Sequence, residues 1–63
     1  MTQKELLYFE DAIGHVGNIV KILNESIRNI DDEEILSFMQ NEIEIQNNLK
    51  VNLMNKLEEK ANG

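Results

Sequence analysis

Residues 6–30 read LLYFEDAIGHVGNIVKILNESIRNI, and the spacing within them decides the fold. Leu6, Phe9, Ile13, Val16, Val20, Leu23, Ile27 and Ile30 recur at alternating intervals of three and four residues, without a break. A seven-residue repeat of this kind lays one continuous apolar seam along a helix, and the seam needs something to cover it. Ala12, Ile19 and Ile22 flank it on one side, beside Val16 and Leu23. A two-stranded coiled coil needs only a narrow stripe, whereas a bundle helix touching two neighbours needs a broad one. The breadth here favours a bundle.

Outward from this seam, the N-terminal side carries a start signal. Thr2 and Glu5 form the pattern of a capping box, with Met1 and Leu6 at the hydrophobic-staple positions. The first helix is expected from about residue 3 to about residue 29. Its acids Glu5, Glu10 and Asp11 fall early and its bases Lys21 and Arg28 late, as the helix dipole favours. On the C-terminal side, Asn29-Ile30-Asp31 is the one credible break. Asp31 with Glu34 reads as a second capping box, and Ile30 with Ile35 as a second staple. Two start signals imply two helices; a single bent helix is the alternative, since neither glycine nor proline marks the corner.

The second helix is expected from about residue 32 to about residue 60, with Asn62 and Gly63 as a frayed end. Its inner face is read as Ile35, Leu36, Met39, Ile43, Leu49, Leu53, Met54 and Leu57, widened by Phe38 and Ile45. Gln46 and Lys50 interrupt that seam at mid-helix. Two helices of nearly equal length with a short connection pack antiparallel. The predicted fold class is therefore all-α, an antiparallel two-helix hairpin occupying residues 1–63 as one domain. A hairpin leaves each broad face half covered, and two hairpins pairing into a four-helix bundle cover both.

Size points the same way. A chain of 63 residues buries only about 60% of its unfolded surface when it folds alone. Small folds of this kind need disulfides, a metal or a partner chain. There is no cysteine and one histidine, which excludes disulfides and argues against a structural zinc site. A homodimer is the remaining staple. The absence of proline, the three glycines and a hydrophobic content of 41% suit an all-helical protein. Twelve acids against six bases give a net charge of −6. That balance argues against nucleic acid or an anionic membrane surface as partner, both of which attract positive charge. The opening MTQKELLYFED has neither a signal-peptide core nor an arginine-rich transit pattern. No apolar run approaches membrane-spanning length. A cytoplasmic location is expected by elimination.

Chemistry has few candidates. Counting equal distances from the turn places Gly14–Asn18 level with Glu44–Asn48, so both helices lose apolar character at one height. Gly14 and Gly17 sit together at the edge of the seam, as points of close approach by another helix or as tolerated surface glycines. His15 has Asp11 one turn before it, and Glu10, Glu42 and Glu44 are nearby acids. Carboxylate-bridged metal bundles use a Glu-x-x-His pair on each of two helices, and position 12 here is alanine. His15, Asp11 and Glu10 are thus weak metal candidates, and no cofactor is expected. Gln46, Asn47 and Lys50 read either as a buried polar layer that fixes register or as the open edge of the bundle. Ser26 and Ser37 have no histidine at a spacing that makes a nucleophile, and no glycine-rich phosphate loop is present. The acid run 31–34 lacks the alternating ligands and central glycine of a calcium loop.

The segment Glu5-Leu6-Leu7-Tyr8-Phe9-Glu10-Asp11-Ala12-Ile13-Gly14-His15 resembles the opening helix of the spore coat protein F-like family. Asp32-Glu33-Glu34-Ile35-Leu36-Ser37-Phe38-Met39-Gln40 is similar to the start of that family's second helix, and Leu53 to Leu57 fits its ending. The resemblance implies a ferritin-like helical bundle and a sporulation-linked structural role. The length, two-helix plan and acidic balance are also similar to the Rop-type RNA-binding hairpin dimers. RNA binding there needs clustered basic residues, whereas Lys4, Lys21 and Arg28 are scattered here, so only the architecture transfers. The expected function is that of a non-enzymatic homodimer with a structural or protein-interaction role. The alternatives are a regulatory adaptor binding a protein or RNA helix, and a metal-binding half-bundle.

Overall fold

Two long helices joined by a short irregular connection make up the computed structural model, which describes residues 1–62. The first, α1, spans Gln3–Ser26 and the second, α2, spans Glu33–Asn62. No strand occurs among the described residues, so the chain is all-helical. Gly63, expected within a frayed end, lies outside the described residues; Asn62 still belongs to α2.

The start of α1 follows from its first residues. The Thr2 hydroxyl accepts from the Glu5 amide at 3.1 Å, and Glu5 Oε1 accepts from the Thr2 amide at 2.8 Å. Two amides with no partner inside the helix are thereby satisfied. The far end tightens rather than breaks. Asn24 Nδ2 donates to the Val20 carbonyl and Ser26 Oγ to the Ile22 carbonyl, each reaching back one turn. Such back-bonding competes with the regular ladder. Beyond Ser26 the chain continues as a 3-10 turn, Ile27–Asn29, so the last residues expected in the first helix are wound more tightly. Ile30 is extended (φ −112°, ψ 121°) and turns the chain out of the helix.

The second start differs from the expected box. Asp32, not Asp31, caps α2: its Oδ1 accepts from the amides of Glu34 at 2.9 Å and Ile35 at 3.0 Å. The third helical residue is then Ile35, which carries no carboxylate to reach back, so the Asp31–Glu34 box does not form. The Ile30–Ile35 staple moves out of register with it. Glu33 and Glu34 occupy the first turn of α2, where negative charge is favoured.

The seam that starts in α1 is partly covered along its length: Leu6, Phe9, Ile13, Val20, Leu23, Ile27 and Ile30 are half-buried and Val16 is buried. On α2 the half-buried positions are Leu36, Met39, Glu42, Ile43, Gln46, Lys50, Leu53 and Leu57. All of these but Glu42 form a three-four repeat that matches the one on α1. Ile35, Leu49 and Met54, read from sequence as inner-face residues, are exposed instead. Leu36, Met39, Ile43, Leu53 and Leu57 keep the inward positions read from sequence, so the buried stripe of α2 is narrower than expected.

The result is a rod. Its Cα extents are 46 × 15 × 10 Å and its radius of gyration is 14.7 Å, against about 11 Å for a compact domain of this length. A slab 10 Å thick is one layer of helices, too thin to enclose a core. Val16, 8% exposed, is accordingly the one buried hydrophobic side chain among the described residues.

Candidate functional site

The polar middle is the one place where the sequence allows a site to be argued, and the structure sets its register differently. A Cβ built on Gly17 would lie 3.6 Å from Lys50 Nζ and 3.9 Å from Lys50 Cε. Glu10, Ile13 and Gly14 line a groove with Met54, Leu57 and Glu58. The segment around Gly17 is thus level with Lys50, about one helical turn beyond the Glu44–Asn48 stretch expected from equal counting. The connection explains the offset: a 3-10 turn followed by three non-helical residues, 30–32, replaces the symmetric corner that the count assumed.

Lys50 therefore interrupts the apolar seam at the level of Val16 and Gly17. Its side chain is half-buried, as expected of a lysine that lays its methylene stem along apolar neighbours and keeps its ammonium in water. Gln46 is half-buried one turn earlier. Asn47 is exposed, so the polar layer comprises Gln46 and Lys50 alone.

The two glycines separate in role. Nothing lies within 4 Å of a Cβ on Gly14, so no helix of the same chain approaches there. Gly17 meets only the end of the Lys50 side chain, at ordinary van der Waals distance. Neither marks a close backbone approach within the chain.

His15, Asp11 and Glu10 are all exposed. Among the described residues, no group of three or more His, Cys, Asp or Glu side chains is arranged to hold a metal ion. The ion pair present joins Lys56 Nζ to Glu59 Oε2 at 3.2 Å, with both side chains in solvent. Lys4 Nζ stands 6.0 Å from the centre of the Tyr8 ring, at the outer limit of a cation–π contact. The Thr2 backbone hydrogen bond, then the Thr2 hydroxyl, hold the Glu5 carboxyl below its ordinary value. That carboxylate is fully solvent-facing and serves the helix cap, so its shift marks structure rather than catalysis.

What the surface does offer is apolar area. Leu7, Tyr8, Ile19, Ile22, Phe38, Ile45, Val51 and the three α2 residues displaced from the inner face are all exposed. A second feature is the groove over Ile13 and Gly14, about 520 Å³, whose mouth is flanked by Glu10 and Glu58. Among the described residues, no helix is long and apolar enough to cross a membrane. Compared with protein-family models, characterised proteins and solved structures, the chain matches none.

Proposed function

We propose that the chain is an antiparallel helical hairpin whose working form is a homodimeric four-helix bundle with a structural or protein-interaction role and no catalytic chemistry. One observation carries the reading. A folded monomer of 7.3 kDa exposes about 4,200 Å² on the general size scaling, and this chain alone exposes 5071 Å². The excess, about 900 Å², is close to the ~800 Å² that each partner contributes to a stable interface. Sedimentation velocity at micromolar concentration tests the proposal: a species of twice the chain mass is expected, and a folded monomer discards it. The similarity to coat protein F-like segments extends the proposal to a sporulation-linked scaffold.

A second reading, an adaptor that docks a partner helix, draws on the acid-flanked groove over Gly14. Its apolar floor and paired carboxylates suit a lysine-bearing amphipathic segment. Titration with such a peptide is expected to shift the Gly14 amide resonance, and an unmoved resonance removes this reading.

A further inference from the structure

A repeat of alternating threes and fours places its residues on one stripe of a helix. Besides the inner seam, each helix carries a second such stripe. On α1 it passes through Tyr8, Ala12, His15, Ile19 and Ile22; on α2 it passes through Ile35, Phe38, Ile45 and Leu49. Both stripes lie about 100° from the inner seam in the same rotational sense, counting 3.5 residues per turn. Because the helices run in opposite directions, the same sense on each brings both stripes to the same side of the layer. The grooves at the open end fix the two sides independently. Glu5, one turn before Tyr8 on its stripe, shares a groove with Lys56, one stripe repeat beyond Leu49. Glu10 and Gly14 share the opposite groove with Met54 and Glu58. One side of the slab is thus predominantly apolar, interrupted by His15 on α1 and Glu42 on α2. The other carries Gln3, Glu10, Lys21, Asn24, Arg28, Gln40, Glu44, Asn47 and Glu58, broken only by Leu7, Val51 and Met54.

We infer that a second copy of this chain covers the Tyr8–Ile19–Ile22 and Phe38–Ile45–Leu49 side, stacked face to face with the two turns at opposite ends. This inference rests on the homodimer reading and specifies its interface. The area fits: a face 46 Å long and 15 Å wide presents roughly 700 Å², close to the half-interface of a stable complex. Charge sets the direction. Asp31, Asp32, Glu33 and Glu34 crowd the turn end, while Lys4, Lys56 and Lys60 lie at the open end. Stacking with turns together concentrates eight carboxylates at one end; stacking with turns apart sets each acid run beside the other copy's open end, where Lys4, Lys56 and Lys60 balance Glu5, Glu58 and Glu59. Within the face, Glu42 and Lys56 are each seven residues from Leu49. A two-fold axis passing by Leu49 therefore brings Glu42 over the partner's Lys56. The same axis lays Ile22 over the partner's Ala12, a large side chain against a small one.

The test uses a matched pair. Ile22 and Val51 are β-branched, lie within α1 and α2 on opposite sides of the slab, and are 60% and 53% exposed in the single chain. In a monomer the two aspartate substitutions cost about the same. In the proposed dimer, Ile22→Asp buries an unpaired carboxylate and weakens association roughly 100-fold or more, whereas Val51→Asp leaves it unchanged. Sedimentation equilibrium and helicity are read together, so that loss of fold on dissociation still separates the two variants. A native chain that sediments as a monomer defeats the homodimer reading itself. A native dimer that survives Ile22→Asp and falls apart with Val51→Asp defeats only the assignment of the face. For direction, a spin label at Asn29→Cys, clean in a chain without cysteine, lies about twelve residues from that axis and is expected roughly 35–40 Å from its mate. A separation close to the ~10 Å spacing of two packed helix layers, lengthened only by the label arms, overturns the head-to-tail arrangement.

Discussion

Replacing Asp32 with alanine tests where the second helix begins. Asp32 Oδ1 holds two amides of the first turn, those of Glu34 at 2.9 Å and Ile35 at 3.0 Å, and the Asp31 side chain makes no such bond. Loss of an aspartate cap costs about 1 kcal/mol, with roughly 0.3 more from removing a charge beside the helix dipole. The dipole contribution stays at its lower end because Asp31, Glu33 and Glu34 remain in place. Each chain should then lose about 1–1.5 kcal/mol, and the proposed dimer about twice that. For a domain of this size, 1 kcal/mol corresponds to about 4–8 °C in Tm. Urea denaturation followed by circular dichroism, at fixed chain concentration, measures the loss. Asp32→Asn keeps an acceptor oxygen and should recover most of it, which separates hydrogen bonding from charge. Asp31→Ala should be nearly silent. An Asp31→Ala loss equal to that of Asp32→Ala refutes the placement of the cap.

Other perturbations read other parts of the slab. Gly14→Ala adds a methyl into open space, so it should stabilise by about 1 kcal/mol through helix propensity; destabilisation in a urea titration would mean that another chain approaches there. Lys50→Leu replaces the polar residue level with Val16 and should raise stability by roughly 1–2 kcal/mol, read as a higher denaturation midpoint. A fall in midpoint would show that the lysine holds the register. The Glu5 carboxyl titrates below its ordinary value of 4.5 in the folded chain. The capping box therefore contributes fully above that pH and is lost as pH falls through the lowered value. Hydrogen exchange at the Thr2 and Glu5 amides should quicken in that acid range, and in Glu5→Gln the pH-dependent step should vanish.

Much of α1 was legible because one pattern dominates it. Thr2 and Glu5 form the only box available at that end, and the eight-residue seam admits a single reading. The second helix holds two patterns that compete. Leu36, Met39, Ile43, Gln46, Lys50, Leu53 and Leu57 form one repeat with five apolar members. Ile35, Phe38, Glu42, Ile45, Leu49, Asn52 and Lys56 form another with four. Periodicity alone does not choose between stripes so close in content, and an inner face drawn from sequence mixes the two. The adjacent aspartates compound the ambiguity, since Asp31 with Glu34 matches a box and Asp32 with Ile35 does not. The structure turns the richer stripe inward, where burying an additional large side chain is worth more than one box hydrogen bond. The register of the polar middle was out of reach for a related reason. Counting from a presumed corner assumes a symmetric turn, whereas the 3-10 winding at Ile27–Asn29 and the extended Ile30 displace it by one turn of helix.

Two apolar stripes on each helix also bear on how the chain folds. A lone pair of antiparallel helices satisfies one stripe per helix and leaves the other in water. With Val16 the one buried side chain among the described residues, such a pair has little to set against the conformational entropy of ordering about sixty residues. If the exposed stripe is covered only by a twin, folding and association become a single equilibrium and stability depends on concentration. Each tenfold rise in chain concentration then adds about 1.4 kcal/mol of apparent stability. Melting followed by circular dichroism over about 1–100 µM should therefore move Tm upward by several degrees per decade. Fraying of a self-sufficient hairpin has no such dependence. A melting curve that stays fixed across that range, with native helicity at its foot, would mean that the single layer holds itself together and that its apolar side needs no copy of the chain to cover it.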